Sequence, residues 1–150
     1  MVSSKTKILV VCHYISIREL VKKNLLEMEF KNIKEMEDPW TIYKILERDR
    51  EVLGKDREAC IIISGLDIGT KYFSIIDLLR MARYLRNDVI FIAVLPQGKI
   101  DKKTRKVIKD LEKEGVEGII SGPLEEIKSY APTISNALAK LYRENKASGN

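Results

Sequence analysis

Histidine occurs once, as His13, and cysteine twice, as Cys12 and Cys60. A tetrahedral zinc site built from Cys and His takes four donors, and this chain has three, spread over two distant segments. No apolar run reaches the roughly 18 to 20 residues that a membrane-spanning helix needs. The start, Met1-Val2-Ser3-Ser4-Lys5 with Lys7 close behind, has no room for the apolar centre of a signal sequence. The expectation is a cytoplasmic protein whose two cysteines stay reduced. Glycine-rich phosphate loops are also missing: neither the dinucleotide-binding pattern nor the P-loop follows any apolar run, and there is no Gly-x-Ser-x-Gly nucleophile elbow.

What remains is a chain of 150 residues, 45% hydrophobic and 33% charged, with 27 Lys and Arg against 22 Asp and Glu, hence +5 with His neutral. That apolar content excludes disorder, and the length suits one domain over 1–150, its core at about 5–143 and a polar tail at 144–150. An excess of +5 permits an acidic partner, but it is small for a dedicated nucleic-acid binder, so nucleic acid is not expected.

Apolar runs alternate with helical patterns along the chain. Lys7 to Val11 is a short β-branched strand, followed by Ile17, Leu20, Val21, Leu25 and Met28 at helical spacing with Ser16 in the capping position. Asn32 to Met36 is a weaker second strand. Asp38-Pro39 then opens a helix, the acid as cap and the proline at the first helical position, with Ile42, Ile45 and Leu46 on its apolar face. Cys60-Ile61-Ile62-Ile63 and Val89 to Val94 read as strands buried on both sides. Between them Ile75, Ile76, Leu78, Leu79, Ala82 and Leu85 mark a third helix. Asp101 caps a fourth helix that Gly115 closes, Val116 to Ser121 is the fifth strand, and Leu124 to Tyr142 is the last helical segment. Pro132 inside that segment predicts a break near Tyr130 to Pro132.

Five strands alternating with five helices, on connections too long for hairpins, imply parallel β-α-β units with right-handed crossovers. The fold class is α/β, a flavodoxin-like three-layer sandwich around a five-stranded parallel sheet. In such sheets ligands bind at the carboxyl ends of the strands, where the strand order reverses. That singles out Cys12 and His13, Ser64 to Gly69, Val94 to Pro96, and Ser121 to Pro123.

The run Lys7-Ile-Leu-Val-Val-Cys-His-Tyr-Ile-Ser-Ile-Arg-Glu-Leu, continued to Phe30, resembles the start of a CheY-like receiver domain of two-component response regulators. Val116-Glu-Gly-Ile-Ile-Ser-Gly-Pro123 resembles the family's fifth strand and following turn, and the resemblance extends over about residues 5–143. It implies a domain that accepts a phosphoryl group from a kinase onto an aspartate after the third strand, with Mg²⁺ held by an acidic pair after the first. Here the acidic pair falls on Cys12 and His13, the switch hydroxyl on Val94, the aromatic switch on Ile119 and the lysine on Gly122. Mg²⁺ prefers oxygen ligands, so the family's metal site is expected to be lost and no cofactor remains. Counting from the strand puts the acceptor on Ser64, or Gly65 with a one-residue slip. Counting back from Ile76-Asp77-Leu78-Leu79-Arg80 puts it on Asp67. Ser64 is preferred because an acceptor follows its strand directly.

The implied reading is a degenerate receiver, or pseudo-receiver, that is not an enzyme and acts by phosphorylation-independent protein–protein interaction, with self-association as a further expectation. Two alternatives stand beside it: a phospho-accepting regulator using Asp67, and a regulatory domain that binds a small anion in the vacated crevice. Lys99, Lys102, Lys103, Arg105 and Lys106 cluster at the start of the fourth helix and are candidates for docking an acidic signalling partner. Arg80, Arg83 and Arg86 read as plain surface. Trp40 reads as an exposed anchor or as packing against the sheet. Cys12 with His13 allows a soft-metal or redox pair, against a plain buried thiol beside a half-exposed ring, and Cys60 reads as a small core hydrophobe.

Overall fold

The computed structural model describes residues 6–51, 59–68, 73–96, 100–124 and 126–147. Five strands, β1 (Lys7–Val11), β2 (Asn32–Met36), β3 (Cys60–Gly65), β4 (Ile90–Val94) and β5 (Gly118–Ile120), form one parallel sheet in the order β2-β1-β3-β4-β5. Helices α1 (Ile15–Glu27), α2 (Pro39–Glu51), α3 (Ile75–Leu85), α4 (Lys102–Lys113) and α5 (Ala131–Ala147) connect and follow them. This is the doubly wound flavodoxin-like order expected from the alternation of elements.

Side chains alternate across the strands, so the sheet feeds two cores. Leu9, Val11, Cys60, Ile62, Phe91 and Ala93 face α2, α3 and α4. Ile8, Val10, Ile61, Ile63, Ile90 and Ile92 face α1 and α5. That two-sided burial is why β1, β3 and β4 are continuous apolar runs. Each helix adds apolar residues to one core: Val21 and Leu25 from α1, Ile42 and Leu46 from α2, Leu78, Leu79 and Ala82 from α3, Leu111 from α4, Ile134 and Ala137 from α5. Cys60 is fully buried and, like Cys12, is a free thiol.

The capping signals divide. Asp38 caps α2, its Oδ1 accepting the Thr41 amide at 3.1 Å, with Pro39 at the first helical position. Asp101 caps α4 in the same way through the Thr104 amide at 2.8 Å, and Gly115, at φ +82°, ends that helix in the left-handed conformation glycine favours. Ser16, however, is not the cap of α1. That helix starts two residues earlier than such a cap implies, at Ile15, with Tyr14 at the cap position and no side-chain cap bond. Ser74 caps α3 in a reciprocal capping box with Asp77.

Pro132 lies in the first turn of α5, where a missing amide hydrogen costs nothing. The chain before it makes a 3₁₀ turn at Ile127–Ser129, so the expected break is present. The buried Tyr130 hydroxyl and the Asn24 amide both donate to the Leu124 carbonyl, which ties α1 to this turn. β3 runs on to Gly65, β5 is shorter than its pattern suggested, and α5 continues to Ala147, into the stretch expected to be a polar tail.

Candidate functional site

At the carboxyl edge of the sheet, Val11, Ser64 and Ala93 lie side by side in register, and Gly65 pairs with Val94 one position further out. Cys12 follows Val11, its amide donating to the Met36 carbonyl at 3.1 Å. The strand order reverses between β1 and β3, so this edge is the crevice of the fold. A cavity of about 700 Å³ opens there. Cys12 and Gly65 form its floor, Tyr14 and Ile17 its α1 side, and Lys103 and Val107 its α4 side. Leu66 and Asp67 after β3, and Val94 to Pro96 at the end of β4, complete the described walls.

Gly65 is closely approached by its neighbours: a Cβ there would meet Asp67 Oδ1 at 3.0 Å and Cys12 Sγ at 3.3 Å. Cys12 is buried, and burial pushes its thiol above the ordinary value. The Asp67 charge acts in the same direction, and a hydrogen bond from the Tyr14 backbone partly offsets both. The thiol is therefore protonated and unreactive at neutral pH. His13 points elsewhere: it is exposed, its ring edge-on to Tyr14 at 5.4 Å, and it is not among the cavity walls. The Cys12–His13 pair does not converge on one point, and among the described residues no group of three His, Cys, Asp or Glu side chains could hold a metal ion.

The two acceptor candidates sit in different surroundings. Ser64 is completely buried within β3, its hydroxyl donating to the Gly65 carbonyl at 2.9 Å. Asp67 is exposed and is the one carboxylate among the described walls of the cavity. Val94 turns a methyl-bearing wall into the crevice. Ile119 is half-buried and packs against the α2–α3–α4 core. Gly122 is exposed at φ +96°, with Ser129 Oγ 3.3 Å from where a Cβ would stand. A hard, oxygen-seeking cation in the crevice would find a thiol at the end of β1 and a single carboxylate across from it. The residues present do not fit Mg²⁺.

No protein-family model and no curated protein sequence matches the chain. Solved structures do. A CheY-like response regulator receiver domain protein from Methanospirillum hungatei superposes with a TM-score of 0.69 at 16% identity, covering 93% of this chain and 98% of that one. The signal receiver domain of an HD domain-containing protein from Pseudomonas fluorescens gives 0.69 at 17% identity, covering 92% and 98%. Chemotaxis response regulator CheY4 of Vibrio cholerae gives 0.63 at 16% identity, covering 88% and 98%. The fold is that of a CheY-like receiver domain. At such identities the likeness is one of architecture, and the residues at the crevice speak for this chain alone.

Several contributors to the crevice and its surroundings were not legible in the sequence. Arg18 donates to the carbonyls of Cys12 at 2.7 Å and His13 at 3.4 Å and pairs with Glu35 at 3.7 Å, which fixes the β1–α1 turn. The arginines of α3 and of its carboxyl cap are not plain surface. Arg80 pairs with Glu114, Arg83 with Glu117, and the buried Arg86 with Asp49 and Asp88. Trp40 is 57% exposed, its ring tilted against Phe73 at 5.4 Å, so it packs on a loop and not on the sheet. Lys102, Lys103, Arg105 and Lys106 are all exposed along α4, while Lys99 lies outside the described residues.

Proposed function

We propose that this protein is a receiver-type module of two-component signalling that works through phosphorylation-independent contact with a partner protein, and is not an enzyme. The observation that carries this reading is the composition of the crevice. Phosphoryl transfer depends on positioned charges around the moving group. Here the positions that would supply them hold a neutral thiol, Cys12, an aliphatic side chain, Val94, and a glycine, Gly122. The scaffold is kept and the charges are gone.

The contact surface is assigned to α4. Lys102, Lys106, Lys109 and Lys113 recur at steps of four, three and four residues, so they form one exposed stripe, with Lys103 and Arg105 beside it. Like charges at this spacing destabilise a helix by about 0.2–0.5 kcal/mol per pair, so the fold gains nothing from the stripe. The α3 arginines, by contrast, are each matched to an acid. An acidic surface on a signalling partner complements α4.

The test is incubation with acetyl phosphate and Mg²⁺, followed by intact-mass measurement. The expected result is no adduct. A stable aspartyl phosphate would overturn the reading and favour the second one, phospho-acceptance at Asp67, which its exposure in the crevice supports. That second reading requires Asp67→Asn to abolish the labelling.

A further inference from the structure

The crevice has the dimensions and lining of a small-molecule site. Its volume of about 700 Å³ lies inside the range of roughly 300–1,000 Å³ in which organic ligands are held. Ile17, Leu66, Val94, Leu95, Pro96 and Val107 make the walls predominantly apolar, and the Cys12 thiol beneath them, kept protonated by burial, behaves as a small hydrophobe. Two opposite charges border this apolar space, Asp67 on the β3 side and Lys103 on the α4 side. A second cavity of about 480 Å³ shares Leu66, Asp67, Lys103 and Val107 with the first and runs on between α3 and α4 toward Ile75 and Ile76, so the space extends beyond a single methyl-sized niche.

We propose that the crevice binds a zwitterionic organic molecule with an apolar side group, the chemistry of a free hydrophobic amino acid, its ammonium paired with Asp67, its carboxylate with Lys103, and its side group against the apolar walls above Cys12. Charge matching selects this class. An inorganic anion would meet one lysine offset by one carboxylate, with only the Tyr14 and Thr104 hydroxyls as further side-chain donors among otherwise mostly apolar walls. A monocarboxylate with an apolar body would pair with Lys103 and face Asp67 unpaired, and a simple amine would do the reverse. Only a ligand carrying both charges leaves neither side chain opposed, and burial of its apolar group supplies the free energy that two exposed ion pairs do not. The inference does not depend on whether Asp67 can be phosphorylated, and the acetyl phosphate experiment leaves it untouched.

The test uses the full chain and four probes, L-leucine, L-methionine, L-phenylalanine and L-tryptophan, each titrated by calorimetry and by amide chemical-shift mapping. At least one is expected to bind and to shift the amides of Cys12, Gly65, Leu66 and Leu95. The matching amino-acid amide, which lacks the carboxylate, and the N-acetyl derivative, which lacks the ammonium, are each expected to bind about tenfold more weakly or worse. Glycine, with both charges and no side group, is expected not to bind. Asp67→Asn should erase the preference for the free ammonium, and Lys103→Met the preference for the free carboxylate; both residues are exposed, so folding is preserved. Val107→Phe, placed at a half-exposed position of α4, should fill the space and abolish binding. The proposal is overturned if none of the four probes moves crevice amides at about 10 mM, or if the amide and N-acetyl derivatives bind as tightly as the parent amino acid.

Discussion

Replacing Arg83 by leucine is expected to lower the melting temperature by about 4–8 °C, although the residue looks like one of three interchangeable arginines on α3. Its guanidinium donates to the Glu114 carbonyl, the Gly115 carbonyl and Glu117 Oε1, each at 2.6 Å. The two carbonyls are among those left without helical partners where α4 ends, and a cation there also complements the helix dipole. Glu117 in turn accepts the Phe91 amide at 2.7 Å, so one side chain joins α3, the end of α4 and the edge of β4. Charge-assisted hydrogen bonds contribute about 1.5–3 kcal/mol each when enclosed. The Arg83 side chain keeps 28% exposure, and water can replace part of what is lost. The net cost is then about 2 kcal/mol, and at roughly 2–4 °C per kcal/mol for a chain of this length the shift follows. Arg80→Leu is the control. Among the described residues Arg80 pairs with the Glu114 carboxylate alone and is 62% exposed, so its removal should leave the melting temperature within about 1 °C. Thermal unfolding by circular dichroism measures both, and amide exchange should show protection lost first at the carboxyl end of α4. Equal shifts for the two variants, or no shift for Arg83→Leu, would refute the argument.

Two more outcomes follow from named groups. Burial raises the Cys60 thiol from 9.0 to about 11, so above pH 9 the unfolded chain releases a proton that the folded chain retains. Stability is therefore intact below pH 9 and falls through pH 11 by about 2–3 kcal/mol; Cys60→Val should flatten that slope in denaturant titrations, and an unchanged slope would place the alkaline transition elsewhere. Lys102→Glu puts an acid at the amino end of α4, in step with Lys106 one turn on, and should raise stability by about 0.5–1 kcal/mol; a loss would mean that the lysine stripe serves the fold after all.

The central strands were legible because burial on both faces leaves a continuous apolar run with one reading, as at Ile61 to Ile63 and Ile90 to Val94. The edges were less so: β5 pairs on one side only, and three paired residues satisfy the sheet where a six-residue pattern suggested more. Asp38-Pro39 and Asp101 carried their caps in local sequence. Ser16 misled because the β1–α1 turn is held by Arg18 reaching back to the Cys12 and His13 carbonyls, a contact that capping preference does not register. The Ser74-Ile75-Ile76-Asp77 spacing carries a capping-box signal in local sequence. Ser64 against Asp67 turned on the length of a loop, which no periodicity measures. The α3 arginines were misjudged for the same reason as Ser16, since their partners lie 31 to 34 residues away for Arg83 alone.

The described carboxyl edge of the sheet is built without a cluster of carboxylates, Asp67 being the one acid among the described walls of the crevice. Clustered carboxylates at a strand edge repel one another and resist desolvation, and a bound cation is what makes such a cluster tolerable. With Cys12, Gly65 and Val94 in that row, the edge needs no cation: Cys12 is 3% exposed, Val94 is 5% exposed, and both simply extend the apolar interior outward. Cys12 and Val94 therefore line the crevice with apolar surface. With the lining apolar, Asp67 and Lys103 at its rim are the charges on which the proposed occupant depends, and the lysine stripe proposed to meet a partner runs along the same helix. Lys103 and Val107 line the crevice, Lys106 lines the cavity that continues it, and Lys102 and Lys109 are exposed one residue or one turn away, so the proposed occupant and the proposed partner would meet on one helix.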